Sequence, residues 1–369
     1  MSAVAHFVDV TAFPVVQTPS NQWTGGLFSS DGSLIFEAAH IRSSDNSTAQ
    51  SFPEAYVGRE PLELSVGLYG GFFFNHFGHF VTESLGRLWA ANLAEYQHLP
   101  IYVDGLWGQV DFAAQNNFAA EILRLFEIDK NRIRFIDKPL KFKTIYVPEM
   151  QYGFHKFLNP GANFVSEMQN AQNRIEREIS REISHSARIY VSRSKWTALR
   201  GVVAGEAQFE SFLVQQGWSS IYPEEMSFGD QLRSYAAAEY IIFAEGSSQH
   251  SCILLPQLKA KVAVILRRDK PWDVSRVTDQ FGGFKKNVEA IKYINARYCF
   301  GLPEWSGVTV VDYGKVVERL RSIGFVGSRF SDWEAVSEKA VDEAITSFVA
   351  SALKEKDFLS FLKALPEPR

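Results

Sequence analysis

The 369-residue sequence has few cysteines, no long apolar run and no excess of positive charge. Cys252 and Cys299 each lie within an apolar stretch, so we expect free thiols in a reducing, cytoplasmic compartment. No run reaches the ~20 apolar residues that cross a bilayer, and Met1–Val10 lack the pattern of a signal peptide. We therefore expect no transmembrane segment. Peripheral contact with a membrane is compatible with this expectation. The net charge of −4 disfavours nucleic acid as a partner.

The length and the order of the predicted elements indicate two α/β domains and a helical tail. Residues 1–60 predict only short strands and loops, after which strands alternate with helices as in βαβ units. We divide the chain into residues 1–183, 184–330 and 331–369. In the first domain we predict strands 62–68, 100–103, 132–136 and 142–147 and helices 76–93, 111–128 and 163–184. In the second we predict strands 188–193, 218–222, 240–244, 262–266 and 308–311, helices 206–216, 227–238 and 247–255, and a helix from 315; the tail is helical over 332–365.

Polar residues follow three predicted strands of the second domain, where an open parallel sheet gathers its ligands. Gly246 permits a sharp turn into a helix, whose first N–H groups favour an anion. Arg193 adds a guanidinium that grips phosphate bidentately. The pattern predicts a diphosphate site, whereas an ordinary N-cap turn with surface cations is the alternative. The candidate donor-binding residues are Arg193, Lys195, Arg200, Tyr222, Glu224, Gly246, Ser247, Ser248 and His250.

A second set of polar side chains recurs at helical spacing in the first domain. At ~100° per residue, His76, His79, Glu83 and Arg87 fall within an arc of about 80°, opposite an apolar face. His79 and Glu83 are one turn apart, so the carboxylate can orient the imidazole and raise its basicity. Either group can serve as a base for an acceptor hydroxyl, and a solvated polar face is the alternative. The spacing is not His-Glu-x-x-His, so we predict no metal site.

Four segments, in this order and spacing, together resemble glycosyltransferase family 61. Gly205 and Ser251 stand where that family usually or often has Asn. The matching segments are Asn75-His-Phe-Gly-His-Phe-Val-Thr-Glu-Ser-Leu-Gly-Arg-Leu88, Ile189-Tyr-Val-Ser-Arg193 with Arg200 and Glu206, Val214–Gln231, and Ala236–Ser251.

The resemblance implies a GT-B-like fold, with two Rossmann-like domains facing across a cleft. It also implies inversion at the anomeric carbon, a nucleotide-sugar donor and no obligatory metal or other cofactor. A GT-B tail usually crosses back to the first domain, as 331–369 would. Carried over, His79 and Glu83 are the catalytic candidates. Further acceptor-side candidates are Asn75, His76 and Arg87.

We therefore expect sugar transfer from a UDP-linked donor to a glycan or glycolipid hydroxyl in capsular or other surface polysaccharide synthesis. A non-catalytic nucleotide-sugar-binding or glycan-binding protein on the same scaffold is the alternative, since fold does not fix function. A dehydrogenase lacks support because no G-x-G-x-x-G follows a predicted strand. The oligomeric state is not predicted.

Overall fold

A computed structural model describes the molecule, and the chain forms two compact units by its internal contacts. One unit comprises residues 1–179 with 250–258, and the other comprises 180–249 with 259–369. Both contain strands and helices, so the predicted mixed α/β class is confirmed. The described residues are 4–17, 23–43, 46–47, 51–114, 117–153, 158–179, 186–196, 200–300, 306–327, 333 and 336–354.

The first unit is built on a mixed six-stranded sheet. The strands of this unit are β1 Val4–Gln17, β2 Trp23–Phe28, β3 Ile41–Ser43, β4 Asn46–Ser47, β5 Leu62–Phe74, β6 Ile101–Leu106, β7 Ile133–Phe135 and β8 Leu140–Pro148. The sheet order is β2-β1-β8-β5-β6-β7. Strands β8, β5, β6 and β7 run parallel, whereas β1 is antiparallel to β2 and β8. The expectation of only short strands in residues 1–60 is wrong, because β1 has 14 residues.

The predicted helix 76–93 is not a single helix. The segment begins as α1, Phe77–His79, continues as a π-helix over Phe80–Ser84, and ends in a 3₁₀ turn, Leu88–Ala90. Every residue from 80 to 91 is buried, so packing on all sides, rather than one apolar face, sets this backbone. The other helices, α2 Phe118–Leu125 and α3 Ala162–Glu178, are shorter than predicted.

A β-bulge in β5 lies beside Arg87, which follows the π-helix in the chain. The pairing of β5 with β6 shifts register between Tyr69 and Gly71. Gly71 has a φ of +84°, and a Cβ there would lie 3.2 Å from Cδ of Arg87. Glycine is therefore required both for the left-handed backbone and for the close approach of the arginine.

The second unit contains the predicted parallel sheet, in the order β11-β9-β12-β13-β14, and a smaller sheet, β10-β16-β15. Its strands are β9 Arg188–Val191, β10 Val202–Ala204, β11 Ser219–Ile221, β12 Tyr240–Ala244, β13 Lys261–Ile265, β14 Val288–Ile291, β15 Ile294–Tyr298 and β16 Val308–Val311. Its helices are α4 Glu206–Gln215, α5 Phe228–Ala237, α6 Asp273–Gly283, α7 Tyr313–Ser322 and α8 Glu338–Lys354. The predicted helix 247–255 is a 3₁₀ helix, Ser247–Leu254, divided between the units at residue 250.

The described part of the C-terminal tail packs within the second unit. On α8, Phe348 is buried against Ala204 of β10 and Val308 of β16. Residues 355–369 lie outside the described residues, so the crossing to the first domain stays a prediction.

The cysteines agree with the expectation of free thiols. Cys252 is buried, Cys299 is half-buried, and neither is in a disulfide. Of the helices that the structure describes, none has the length and apolar character needed to cross a bilayer.

Candidate active site

The π-helix of the first unit places the Glu83 carboxyl group between two histidine rings. Its Oε1 lies 2.5 Å from Nδ1 of His79, and its Oε2 lies 2.8 Å from Nε2 of His40. The Glu83 side chain is fully buried, whereas that of His79 is 33% exposed. An ionised carboxylate only accepts hydrogen bonds, and a neutral imidazole that donates through one nitrogen keeps the other as an acceptor. If His79 donates through Nδ1, its Nε2 is the acceptor end of the ring.

An aromatic shell surrounds His79. The ring of Trp107 stands edge-on to it, with centroids 4.8 Å apart, and the His76 ring is 5.2 Å away. Trp107 is 47% exposed and has a φ of +58°, which is strained for a bulky residue. His76 is half-buried and Asn75 is exposed. Of these two predicted acceptor-side residues, His76 contacts the His79 ring, and Asn75 immediately precedes His76 in the chain.

Arg87, a predicted acceptor-side candidate on the polar arc, is buried, with 5% of it exposed, so this position of the arc does not face solvent. Its guanidinium donates to the backbone carbonyls of Glu37, at 2.7 Å, and Ala39, at 3.1 Å, and also to that of Pro148. Burial lowers the pKa of Arg87 to about 10. Through these hydrogen bonds, Arg87 links the backbone at residues 37–39 to the backbone at residue 148.

A small cavity adjoins the buried carboxyl group. Its volume is about 10 Å³, close to the room that one water molecule needs. Its walls include His40, Glu83, Arg87 and Met150.

In the second unit, the carboxyl ends of parallel strands bring Arg193 and Gly246 together. Arg193 follows β9, and Gly246 follows the neighbouring β12. A Cβ at position 246 would lie 2.6 Å from Nη1 of Arg193, so any other residue there would displace the guanidinium. Nη2 of Arg193 donates to the carbonyl of Arg200 at 2.8 Å. This edge of the sheet holds the predicted cation in place.

The Arg193 guanidinium has one donor that the described residues leave without an acceptor. Its Nε is buried and lacks a hydrogen-bond acceptor among the described residues. The backbone N–H of Arg193 donates to the buried Glu206 at 2.7 Å. Burial lowers the pKa of Arg193, although the charge of Glu206 opposes this shift. An anionic ligand would supply both the missing acceptor and a countercharge.

Sequence reasoning missed Arg267 and Arg268, which follow β13. The Glu245 carboxylate accepts from the backbone N–H groups of Arg267 and Arg268, at 2.9 and 3.1 Å, and from Nε of Arg268 at 2.6 Å. Burial, followed by the nearby charge of Arg193, lowers the pKa of Arg267 to about 9. The predicted strand 262–266 contained the signal, because its carboxyl end belongs to the same edge.

Of the remaining donor-binding candidates, Lys195 and Tyr222 contact each other. Lys195 Nζ lies 3.6 Å from the Tyr222 ring centre and 3.0 Å from Glu225 Oε2. Burial and a hydrogen bond to Glu210 raise the pKa of Tyr222 to about 12. Arg200 and Glu224 are exposed, Ser247 and Ser248 are half-buried at the start of the 3₁₀ helix, and His250 groups with the first unit.

The mixed α/β fold and the cationic strand edge define a protein suited to an anionic ligand. The chain matches the family model Glycosyltransferase 61 over residues 77–263, about half of its length, and belongs to this family. It is a glycosyltransferase, for which the family implies a nucleotide-sugar donor and a sugar acceptor. No curated protein matches the chain. Within the described part of the chain, no three His, Cys, Asp or Glu side chains are grouped so as to hold a metal ion.

Proposed function

We propose that the chain transfers a sugar, with inversion, from a UDP-linked donor to a glycan or glycolipid hydroxyl in surface polysaccharide synthesis. The proposal includes a GT-B-like arrangement, in which the second unit binds the donor. Family membership supports the class of reaction, and the residues of each unit support the roles given below.

His79 is the proposed base, and its contact with Glu83 carries the proposal. With Nδ1–H donated to the carboxylate at 2.5 Å, Nε2 takes the proton of the acceptor hydroxyl. The hydroxyl oxygen attacks the anomeric carbon, and the bond from that carbon to the phosphate oxygen breaks. The diphosphate leaves with the electron pair. The buried Glu83 carboxylate stabilises the imidazolium that forms, as in other oriented imidazole bases.

Arg193 is the proposed partner of the leaving diphosphate. Charge grows on the phosphate oxygens as the bond breaks, and fixed donors nearby lower the barrier. The buried Nε of Arg193 has a hydrogen to donate, and Gly246 lets the guanidinium lie against the turn after β12. Arg267 and Arg268 add positive charge from the next strand.

A panel of UDP-sugars tests the proposal. We expect one sugar to raise the melting temperature, because a ligand that binds the folded state stabilises it. That sugar is then offered with a panel of methyl glycosides, and the released UDP is measured. Arg193→Lys should weaken the thermal shift, and Arg319→Lys, at an exposed position of α7, is the matched control.

Each outcome of this test bears on the proposal. Stabilisation and UDP release that depends on a glycoside support it. Stabilisation without release by any glycoside favours the non-catalytic binding protein. If no UDP-sugar shifts the melting temperature while another nucleotide sugar does, the UDP assignment is wrong.

A further inference from the structure

His40 is a buried histidine that lies outside the region of the family match. It follows the 3₁₀ helix Phe36–Ala38, and only 5% of it is exposed. Its ring packs on Phe72 and Phe74 of β5, with centroids 5.0 and 5.8 Å apart. These contacts fix the ring so that Nε2 meets Glu83 Oε2 at 2.8 Å.

We propose that His40 is a positioning residue that acts through Glu83 on His79; this rests on the proposed role of His79 as the base. A buried carboxylate stays ionised only when hydrogen bonds or charges replace the water it has lost. His40 supplies a donor to Oε2, while Oε1 accepts from His79. Glu83 is thereby held as an ionised acceptor, and the lone pair of His79 Nε2 stays available.

The neighbouring charged and titratable groups leave this pairing intact. Arg87 lines the same cavity, but its guanidinium donates to three backbone carbonyls. The ring centroid of His76 is 5.2 Å from that of His79 and 6.1 Å from that of Trp107. The hydroxyl of Ser84 accepts from the backbone N–H of Phe74 at 3.1 Å.

The reactivity of His79 toward diethyl pyrocarbonate tests the proposal without a substrate. The reagent acylates a neutral imidazole nitrogen, and tandem mass spectrometry resolves His79 from His76. In His40→Phe, which keeps an aromatic ring but has no donor, we expect the His79 rate to fall about fivefold or more. Glu83→Gln should give a similar fall. His40→Gln, which retains an amide donor, should stay within about twofold of the wild type.

Met150→Leu is the control, because Met150 lines the same cavity and the change keeps an apolar side chain of similar size. Melting temperatures report whether each variant folds, and His40→Leu replaces His40→Phe if that variant does not. A wild-type His79 rate in the folded donor-free variants would overturn the proposal.

UDP release, measured with the donor found above, separates this proposal from the proposed function. In one outcome, His40→Phe slows the modification of His79 but His79→Gln still transfers sugar. His40 then does position His79 through Glu83, but His79 is not the base. If His79→Gln abolishes transfer while His40→Phe changes neither modification nor transfer, the base assignment stands and the role of His40 is wrong.

Discussion

Glu83 in the first unit and Glu245 in the second are both buried carboxyl groups, but their partners differ in kind. Glu83 contacts two imidazoles, whose ring nitrogens can accept as well as donate a proton. Glu245 contacts the Arg268 guanidinium, which stays charged. A carboxylate beside titratable rings can support proton transfer, whereas one beside permanent cations fixes charge in place. The comparison teaches that the partner, rather than burial, decides what a buried carboxylate does.

The largest effect is expected from removing the charge of Glu83. Glu83→Gln keeps the shape but withdraws the carboxylate that stabilises the His79 imidazolium. We expect kcat to fall by about 10²- to 10⁴-fold, the range of general-base catalysis, while UDP affinity stays unchanged. Initial rates of UDP release and calorimetric titration with UDP measure the two quantities. A kcat within about threefold of the wild type would remove the proposed distinction from Glu245.

The same change at Glu245 should act on stability. Burial raises the pKa of Glu245, but the charges of Arg268 and Arg267 outweigh burial and lower the pKa to about 2. We expect Glu245→Gln to cost about 3 kcal/mol, because Arg268 then lies beside a neutral group. Urea unfolding measures this cost. The control is Glu289→Gln, which breaks a more exposed ion pair with Arg319 and should cost less than ~1 kcal/mol.

The pH dependence of that cost has a definite sign. Because the folded-state pKa of Glu245 is lowered, its contribution is fully present above its ordinary value of 4.5 and is lost as pH falls toward 2. The difference between wild type and Glu245→Gln should therefore shrink in that window. A difference that is constant from pH 7 to pH 3 would contradict the assignment.

A smaller effect is expected from Arg193→Lys. This change compares an arginine that is paired with a carboxylate with one that has a donor left over for a ligand. Arg268 is occupied by Glu245, whereas the buried Nε of Arg193 has no acceptor among the described residues. Lysine keeps the charge but loses the planar fork, so we expect UDP affinity to fall about tenfold. Calorimetry with UDP measures the change. Equal affinity in both proteins would show that Arg193 does not grip the diphosphate.

The last effect has the opposite sign and concerns Asp104, another buried carboxyl group, whose hydrogen-bond donors among the described residues are both neutral. It accepts from the Tyr69 hydroxyl at 2.9 Å and the Val15 N–H at 3.2 Å. Burial raises its pKa to about 7. Its ionisation therefore lowers stability as pH rises from about 4 to 7, opposite to Glu245. We expect the stability of Asp104→Asn relative to the wild type to rise between pH 4 and pH 8, measured by urea unfolding; a fall over that range would contradict this sign.

The sequence predicted the second unit better than the first, and the reason is local. The run Tyr240–Ala244 is apolar throughout and forms β12 over the predicted residues. The predicted helix 227–238 forms as α5, Phe228–Ala237, and Ser227 caps its start by accepting from the N–H of Asp230. In contrast, residues 80–91 of the predicted helix 76–93 are all buried, so the amphipathic spacing did not determine the backbone.

In the first unit, the candidate site was predictable only where its residues are close in the chain. His79 and Glu83 are four residues apart, and their pairing followed from helical spacing. His40 lies 43 residues from Glu83, in a region where the sequence showed only weak patterns. Such a contact depends on how the first strands pack, which no local pattern encodes. Arg268, by contrast, could have been found from the predicted strand 262–266.

The central claim is that Glu83 prepares the His79 ring to accept a proton. The most direct test is to determine which nitrogen of the neutral His79 ring carries the proton. Long-range ¹⁵N–¹H correlation spectra of ¹⁵N-histidine-labelled protein distinguish the two ring nitrogens, and His79→Gln assigns the signals. We predict that the neutral ring carries its proton on Nδ1, with Nε2 unprotonated. A neutral ring protonated on Nε2 would contradict the account, because its Nδ1 could then not donate to Glu83.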